Sequence, residues 1–226
     1  MKTPPETPIT SSAAMIRALG LIAAICGIII VGVYEVTLNA VNANRKIALE
    51  RQVFKVLPGA KSVQAYDALA GGIAPAGNHD APAGAVRFYA AYDAAGKLAG
   101  IAAEGASAGY ADQVRVLYAY DPDKQVITGL GVVAMRETPG IGDKILVDQA
   151  FLQNFVALDV ALAADMKTLA NAVKTVKHGT KAHPWEIDAI SGATVTSKAV
   201  GRGINESAQT LLPKLLPNIA QLRRPS

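Results

Sequence analysis

The hydrophobic positions of this chain fall into three successive patterns. From Ala18 to Tyr34 (ALGLIAAICGIIIVGVY) they are continuous, with no charge between Arg17 and Glu35. A helix over this run rises ~1.5 Å per residue and reaches ~26 Å, the short end of what crosses a hydrocarbon core of roughly 30 Å. Residues 18–34 are therefore read as a transmembrane helix, with Arg17 and Tyr34 at its interfaces. A cleaved signal peptide is the alternative, but its one tolerable small-residue site, Val41-Asn42-Ala43, lies well past the apolar run. Basic residues stand on both sides of the span (Lys2 and Arg17 before; Arg45, Lys46 and Arg51 after), so charge bias leaves its orientation open.

In the second pattern, Glu35 to Leu57 consists of good helix formers, with no Gly or Pro before Pro58-Gly59. It predicts a helical stalk over 35–58. A Gly-, Pro- and Ala-rich stretch from Gly71 to Gly84 reads as a mobile surface loop.

The third pattern is short. Runs of β-branched and aromatic residues at Val86–Tyr92, Lys97–Ala103, Val114–Tyr120 and Val126–Met135 are separated by turn residues such as Asp93-Ala94-Ala95-Gly96 and Asp121-Pro122-Asp123-Lys124. That spacing predicts antiparallel hairpins. Helices are then predicted at Val147–Leu158, Ala161–Val173 and about Thr196–Leu212, the last with Val200, Ile204, Ala208 and Leu211 on one face. The fold class is α+β: one N-terminal transmembrane helix with a stalk, then a single domain over 59–226 with an antiparallel sheet flanked by helices.

Composition narrows the function. Lys and Arg exceed Asp and Glu by 22 to 18 without a basic block interleaved with aromatics, which argues against nucleic acid. The one cysteine, Cys26, excludes an intramolecular disulfide and an iron–sulfur ligand set within this chain. No Gly-x-Gly-x-x-Gly fingerprint appears. His79, His178 and His183 lack metal-ligand spacing and are read as surface residues, with a turn at His183-Pro184-Trp185. No metal site, general base or nucleophile for substrate turnover is assigned.

Two segments carry unusual local chemistry. Arg136-Glu137-Thr138-Pro139-Gly140-Ile141-Gly142 ends the last predicted strand. Pro139-Gly140 suits the centre of a type II turn, and Gly140 and Gly142 would let backbone amides approach a flat ligand. Asp188-Ala189-Ile190-Ser191-Gly192-Ala193-Thr194-Val195-Thr196-Ser197 precedes the last helix. Small hydroxyl residues there normally cap the helix, yet the same free N–H groups also suit a phosphate.

Asp188-x-x-Ser191-Gly192-Ala193-Thr194 resembles the flavinylation motif Asp-x-x-(Ser/Thr)-Gly-Ala-(Thr/Ser) of FMN-binding domains, and Glu137 to Gly142 resemble their Glu-Thr-Pro-Gly-(Leu/Ile)-Gly loop. With one N-terminal span, the pair is similar to the G subunit of the Rnf complex (RnfG-type), a relative of the C subunit of the sodium-pumping NADH:quinone reductase. The chain departs from the family's Gly-Tyr-x-Gly at Asp112 of Gly109-Tyr110-Ala111-Asp112. The resemblance implies FMN esterified through its phosphate to Thr194 by a Mg-dependent flavin transferase, with Ser191, Gly192, Ala193 and Thr196 near the phosphate. Glu137, Thr138, Pro139, Gly140, Ile141 and Gly142 would neighbour the flavin, and Asp188 would orient the loop or assist the transferase.

It further implies a redox subunit of an Rnf-type complex in the bacterial inner membrane. That complex couples electron transfer between ferredoxin and NAD to ion translocation. The membrane subunits would be partners, residues 1–17 would be cytoplasmic, and the FMN domain would face the periplasm. The alternatives are a component of the related quinone reductase, or of another flavinylated reductase, and a non-flavinylated membrane-tethered scaffold whose Ser-Gly-Ala-Thr stretch only caps a helix.

Overall fold

The computed structural model describes residues 11–77 and 81–223, so His79 and the first ten residues of the expected cytoplasmic segment lie outside it. The chain divides into two units, Met1–Ile47 and Ala48–Ser226, and each is described by itself. Helix α1, Ser12–Val56, contains the apolar run and the stalk as one element. Its stretch Ser12–Leu38 is long and apolar enough to cross a membrane and is exposed along its length. This exceeds the expected 18–34 at both ends, because the flanking residues, Met15, Ile16, Val36 and Leu38 among them, also lack charge except at Arg17 and Glu35.

The second unit is built on a seven-stranded antiparallel sheet in the order β2-β1-β3-β4-β5-β6-β7. Its strands are β1 Ser62–Leu69, β2 Gly72–Pro75, β3 Val86–Tyr92, β4 Leu98–Ala108, β5 Gln113–Asp121, β6 Val126–Ala134 and β7 Leu158–Asp159. The four predicted strands are present. Between β3 and β4, Asp93 Oδ1 accepts the amides of Ala95 (2.8 Å) and Lys97 (2.9 Å), and Gly96 takes φ +73°. Between β5 and β6, Asp121 Oδ1 accepts the Asp123 amide at 2.9 Å. The Gly71–Gly84 stretch is not a loop throughout, because Gly72–Pro75 pairs with β1 from Tyr66↔Pro75 to Leu69↔Gly72.

Both faces of the sheet are covered. On one, helix α3 (Thr194–Leu215) buries Val200, Ile204, Ala208 and Leu211 against Phe88, Ile101, Val116 and Tyr118. On the other, Val53, Val56 and Leu57 meet a floor of Ala91, Ala102, Leu117 and Ala119. β5 alternates between these cores, which is why Val116, Leu117, Tyr118 and Ala119 are all buried.

Two predicted helices are corrected. Over 147–158 the only α-helix is α2, Gln149–Gln153, capped by Asp148 Oδ1 accepting from Phe151 N at 2.9 Å. Asn154 ends it by donating Nδ2 to Phe151 O at 2.9 Å, and Leu158 joins the sheet. The 161–173 stretch forms no helix. Asp165 Oδ1 accepts the Lys167 amide at 3.0 Å, Met166 takes φ +57°, and Leu162 bridges to Leu169. A side chain that takes the amide two residues on competes with the helical bond, and a left-handed residue interrupts the helix. A two-stranded parallel sheet, β8 (Lys174–Val176) with β9 (Glu186–Asp188), then leads to α3, and a short α4, Ile219–Leu222, follows it.

Close approach sets α3 on β4. A Cβ on Gly105 would lie 2.6 Å from Gly203 O, and one on Gly203 2.9 Å from Ala106 N. Gly203→Ala should therefore destabilise the fold by up to about 2 kcal/mol, because a backbone collision of ~1–3 kcal/mol is only partly offset by the ~1 kcal/mol of helix propensity that alanine returns. Urea unfolding of the detergent-solubilised chain measures this, and a stabilised variant would show that the helix moves freely on the strand.

Candidate functional site

The site begins where β6 leaves the sheet. Glu137 is only 8% exposed, and its carboxylate points inward. Oε1 accepts the amides of Tyr110 (3.1 Å), Ala111 (3.1 Å) and, at longer range, Asp112 (3.5 Å). Oε2 accepts the hydroxyl of Thr196, on the first turn of α3, at 2.6 Å. Among the described residues no cationic side chain forms an ion pair with it. Burial by itself would raise its pKa, but the bonds from Thr196, Ala111, Tyr110 and Asp112 outweigh that and hold the carboxyl below the usual value.

The Glu137 carboxylate is thus engaged by donors of the protein itself. Its position also accounts for two glycines. A Cβ on Gly142 would fall on the Glu137 Cβ, and one on Gly109 would sit 2.5 Å from Glu137 Oε1. Gly142 makes room for the carboxylate stem, while Gly140 takes φ +77°. Ile141 N donates to Thr138 O at 3.1 Å, which with a positive φ only at Gly140 makes a type II turn across Pro139. Thr138, Pro139, Gly140 and Ile141 form this turn, and all four are exposed. The chain continues into a 3-10 helix, Gly142–Leu146, anchored by buried Ile145.

The second segment repeats that turn. Ala193 N donates to Ile190 O at 3.1 Å and Gly192 takes φ +81°, leaving Ser191 and Gly192 exposed. Buried Ser197 braces it from below, with Oγ accepting from Ile190 N at 3.1 Å and donating to Ala193 O at 2.9 Å. The N-cap of α3 is Ala193, with no side-chain cap and no acidic residue in the first turn. Thr194 is half-buried, and its hydroxyl makes only a long 3.5 Å bond to Ile190 O. Thr196 is buried with its one hydroxyl proton given to Glu137, so it supports the helix start from within.

Asp188 is turned toward its neighbours. Oδ1 accepts Gly179 N at 2.7 Å, and Oδ2 lies 3.6 Å from His178 Nδ1, which is itself 2.9 Å from Ala189 O. Asn154, with Oδ1 accepting from Asp188 N at 3.0 Å, ties this segment to the end of α2. His183 stacks on Trp185 at 4.6 Å, within the turn expected there. A cleft of about 400 Å³, lined by Lys144, Val147, Phe151, His178, Asp188 and Ser191, lies between the second segment and the 3-10 helix that follows the first. Ser197 and Asn154 were not legible as braces in the sequence, because their partners lie on other segments or at the preceding turn.

The site suits a phosphate-bearing ligand. An uncapped helix start presents free amides and the positive end of the helix dipole, and here no acidic side chain in the first turn competes for them. Glu137 also makes the fold acid-sensitive. With a folded pKa below the unfolded one, its stabilisation is complete above roughly pH 4.3 and is lost as pH falls through the folded value. Glu137→Gln should thus lower stability at neutral pH, with the gap from wild type closing toward pH 3. Paired urea titrations across that range check it, and a gap that widens on acidification would contradict it.

The FMN-binding domain family matches residues 109–209, from the amides that hold Glu137 through most of α3. The G subunit of the ion-translocating oxidoreductase complex of Haemophilus influenzae (strain PittEE) is 30% identical over 199 residues, covering 86% of this chain and 87% of its own. The G subunit of the proton-translocating ferredoxin:NAD(+) oxidoreductase complex of Clostridium ljungdahlii is 29% identical over 196 residues, 87% of this chain and 89% of its own. Its counterpart in the Na(+)-translocating ferredoxin:NAD(+) oxidoreductase complex of Acetobacterium woodii is 37% identical over 105 residues, about half of each chain at 46% and 45%. Two solved structures share the fold. They are NqrC of Shewanella oneidensis (TM-score 0.51, 20% identity, 76% of this chain and 87% of that one) and the C subunit of the Na(+)-translocating NADH-quinone reductase of Parabacteroides distasonis (0.55, 21%, 69% and 78%). With a relative at 30% identity aligned over nearly the whole of both chains, this chain belongs to the G-subunit family of ion-translocating oxidoreductase complexes.

Proposed function

We propose that this chain is the flavin-carrying electron-transfer subunit of an Rnf-type membrane complex, with one FMN held by a phosphoester to Thr194. The observation that carries the proposal is the head of α3, where Thr194 is the first helical residue, the N-cap is an alanine, and the first turn holds no acid. A phosphate at Thr194 would meet those amides, with exposed Ser191 and Gly192 beside it. Thr138, Pro139, Gly140 and Ile141, the turn that leads into the 3-10 helix beside the cleft, are the residues we assign to the flavin's surroundings. FMN, when bound, supplies the redox chemistry. The protein holds the cofactor and sets its environment, without substrate turnover of its own.

Attachment is a phosphoryl transfer from FAD by a separate transferase. Thr194 Oγ1 replaces AMP on the flavin-side phosphorus: one P–O bond forms, the pyrophosphate P–O bond breaks, AMP leaves and the hydroxyl proton passes to a base of the transferase. No electrons change hands. The relatives' complexes are named for ferredoxin:NAD(+) oxidoreduction with Na(+) or proton translocation. We assign this chain the place of a relay among the membrane subunits of such a complex, with the domain on the periplasmic side. There a covalent bond retains a cofactor that would otherwise be lost by diffusion. The scaffold alternative needs the Ser-Gly-Ala-Thr stretch to cap α3, and the alanine N-cap counts against it.

Full-length chain co-produced with the transferase should fluoresce as a flavoprotein band after SDS denaturation. Thr194→Ala, or omission of the transferase, should give a dark band. Full fluorescence in Thr194→Ala would remove the site assignment. A reporter fused after Ser226 that functions only outside the cytoplasm should be active, and one that works in the cytoplasm instead would reverse the orientation.

A further inference from the structure

Glu137 belongs to the same loop as the exposed turn, yet it reaches away from it, into the first turn of α3. The only group it takes from that helix is the Thr196 hydroxyl, and none of its bonds uses an α3 backbone amide. A carboxylate under a helix start would ordinarily accept those amides and serve as its cap. Here its other bonds go to the amides of Tyr110, Ala111 and Asp112, so the carboxylate locks the helix start to the 110–112 loop while leaving the helix's own donors open. Gly109 and Gly142 both lack the Cβ that would collide with Glu137, so this position of the carboxylate is built from two sides.

We propose that Glu137 is a positioning residue for modification at Thr194: through Thr196 it fixes the first turn of α3, so that the Thr194 hydroxyl and the first-turn amides are presented together to a phosphoryl donor. This rests on the reading that Thr194 carries the FMN.

The chemistry of the cluster calls for a carboxylate at 137. Three backbone N–H groups and one O–H converge on it, and all of them donate. A glutamine would turn an NH2 toward one set of donors, breaking the link to the loop or reversing the Thr196 proton. An aspartate lacks the methylene needed to span from the strand end to both. Group-transfer rates respond steeply to placement, a shift of about 1 Å costing up to ~100-fold.

The test uses the full-length apo-protein in detergent with purified transferase, FAD and Mg2+, measuring the initial rate of flavin incorporation at Thr194. Glu137→Gln and Thr196→Val should each slow incorporation at least about tenfold. The double variant should be no slower than the slower single, because both changes remove one link. Val53→Ala, in the core on the opposite face of the sheet, supplies a destabilised control that should be labelled at the wild-type rate. Wild-type labelling of Glu137→Gln, multiplying losses in the double variant, or an equal loss in Val53→Ala would each overturn the proposal. Should Glu137→Gln fail to fold, Thr196→Val decides alone by the same criterion. Wild-type protein left unlabelled at Thr194 would instead sink the proposed function, so the two failures are distinguishable.

Discussion

A buried carboxylate with no ion-pair partner among the described residues holds the candidate site together. Glu137 joins three segments distant in sequence: the 110–112 loop before β5, the turn after β6 and the start of α3. Charge-assisted bonds from neutral donors outweigh burial and hold its pKa below the usual carboxyl value. Removing any donor would leave part of an anion desolvated, which costs far more than an ordinary hydrogen bond is worth. The three segments therefore hold their places together, and the glycines at 109 and 142 follow from the space the carboxylate occupies.

The second constraint is the seat of α3. Its sequence includes Gly201, Gly203 and several β-branched residues, a poor helix by propensity alone. Packing decides instead. Gly203 lets the helix backbone touch β4 at Gly105, and Gly201 lets it close over Thr175 on β8. Each glycine gives up about 1 kcal/mol of helix propensity relative to alanine, and the return is close placement of the helix's first turn. The head of the helix is thus seated on rigid elements, which suits the attachment proposed for Thr194.

Local signals carried much of this into the sequence. The uncharged run from Ala18 to Tyr34, the Asp-rich hairpin turns and the 3.6-residue period of Val200, Ile204 and Ala208 each state their structure within one element, and each is found. The Pro139-Gly140 turn was legible for the same reason. What failed depended on distant partners. The 161–173 stretch has a helical composition, but its amides are taken by distant side chains, Leu162 N bonding Gln125 Oε1 at 3.0 Å and Val173 N bonding Asn205 Oδ1 at 2.9 Å. The β2 edge strand hides in a Gly-Pro stretch because an edge tolerates such residues. The direction of Glu137 was unreadable because its donors lie on two other segments.

The helix start itself argues for a ligand. A Ser, Thr, Asp or Asn at the N-cap is worth about 1 kcal/mol over alanine, and this chain has hydroxyls at Ser191 and Thr194 on either side of the position. It nonetheless sets Ala193 there, buries Ser197 to brace the preceding turn, and directs the Thr196 proton to Glu137. Side chains that had the chemistry to cap the helix are thus each committed elsewhere or held off the cap. Stability alone would favour the cap. An arrangement that leaves the amides open, beside a threonine whose hydroxyl has only one long bond, is the one expected where a bound phosphate completes the helix.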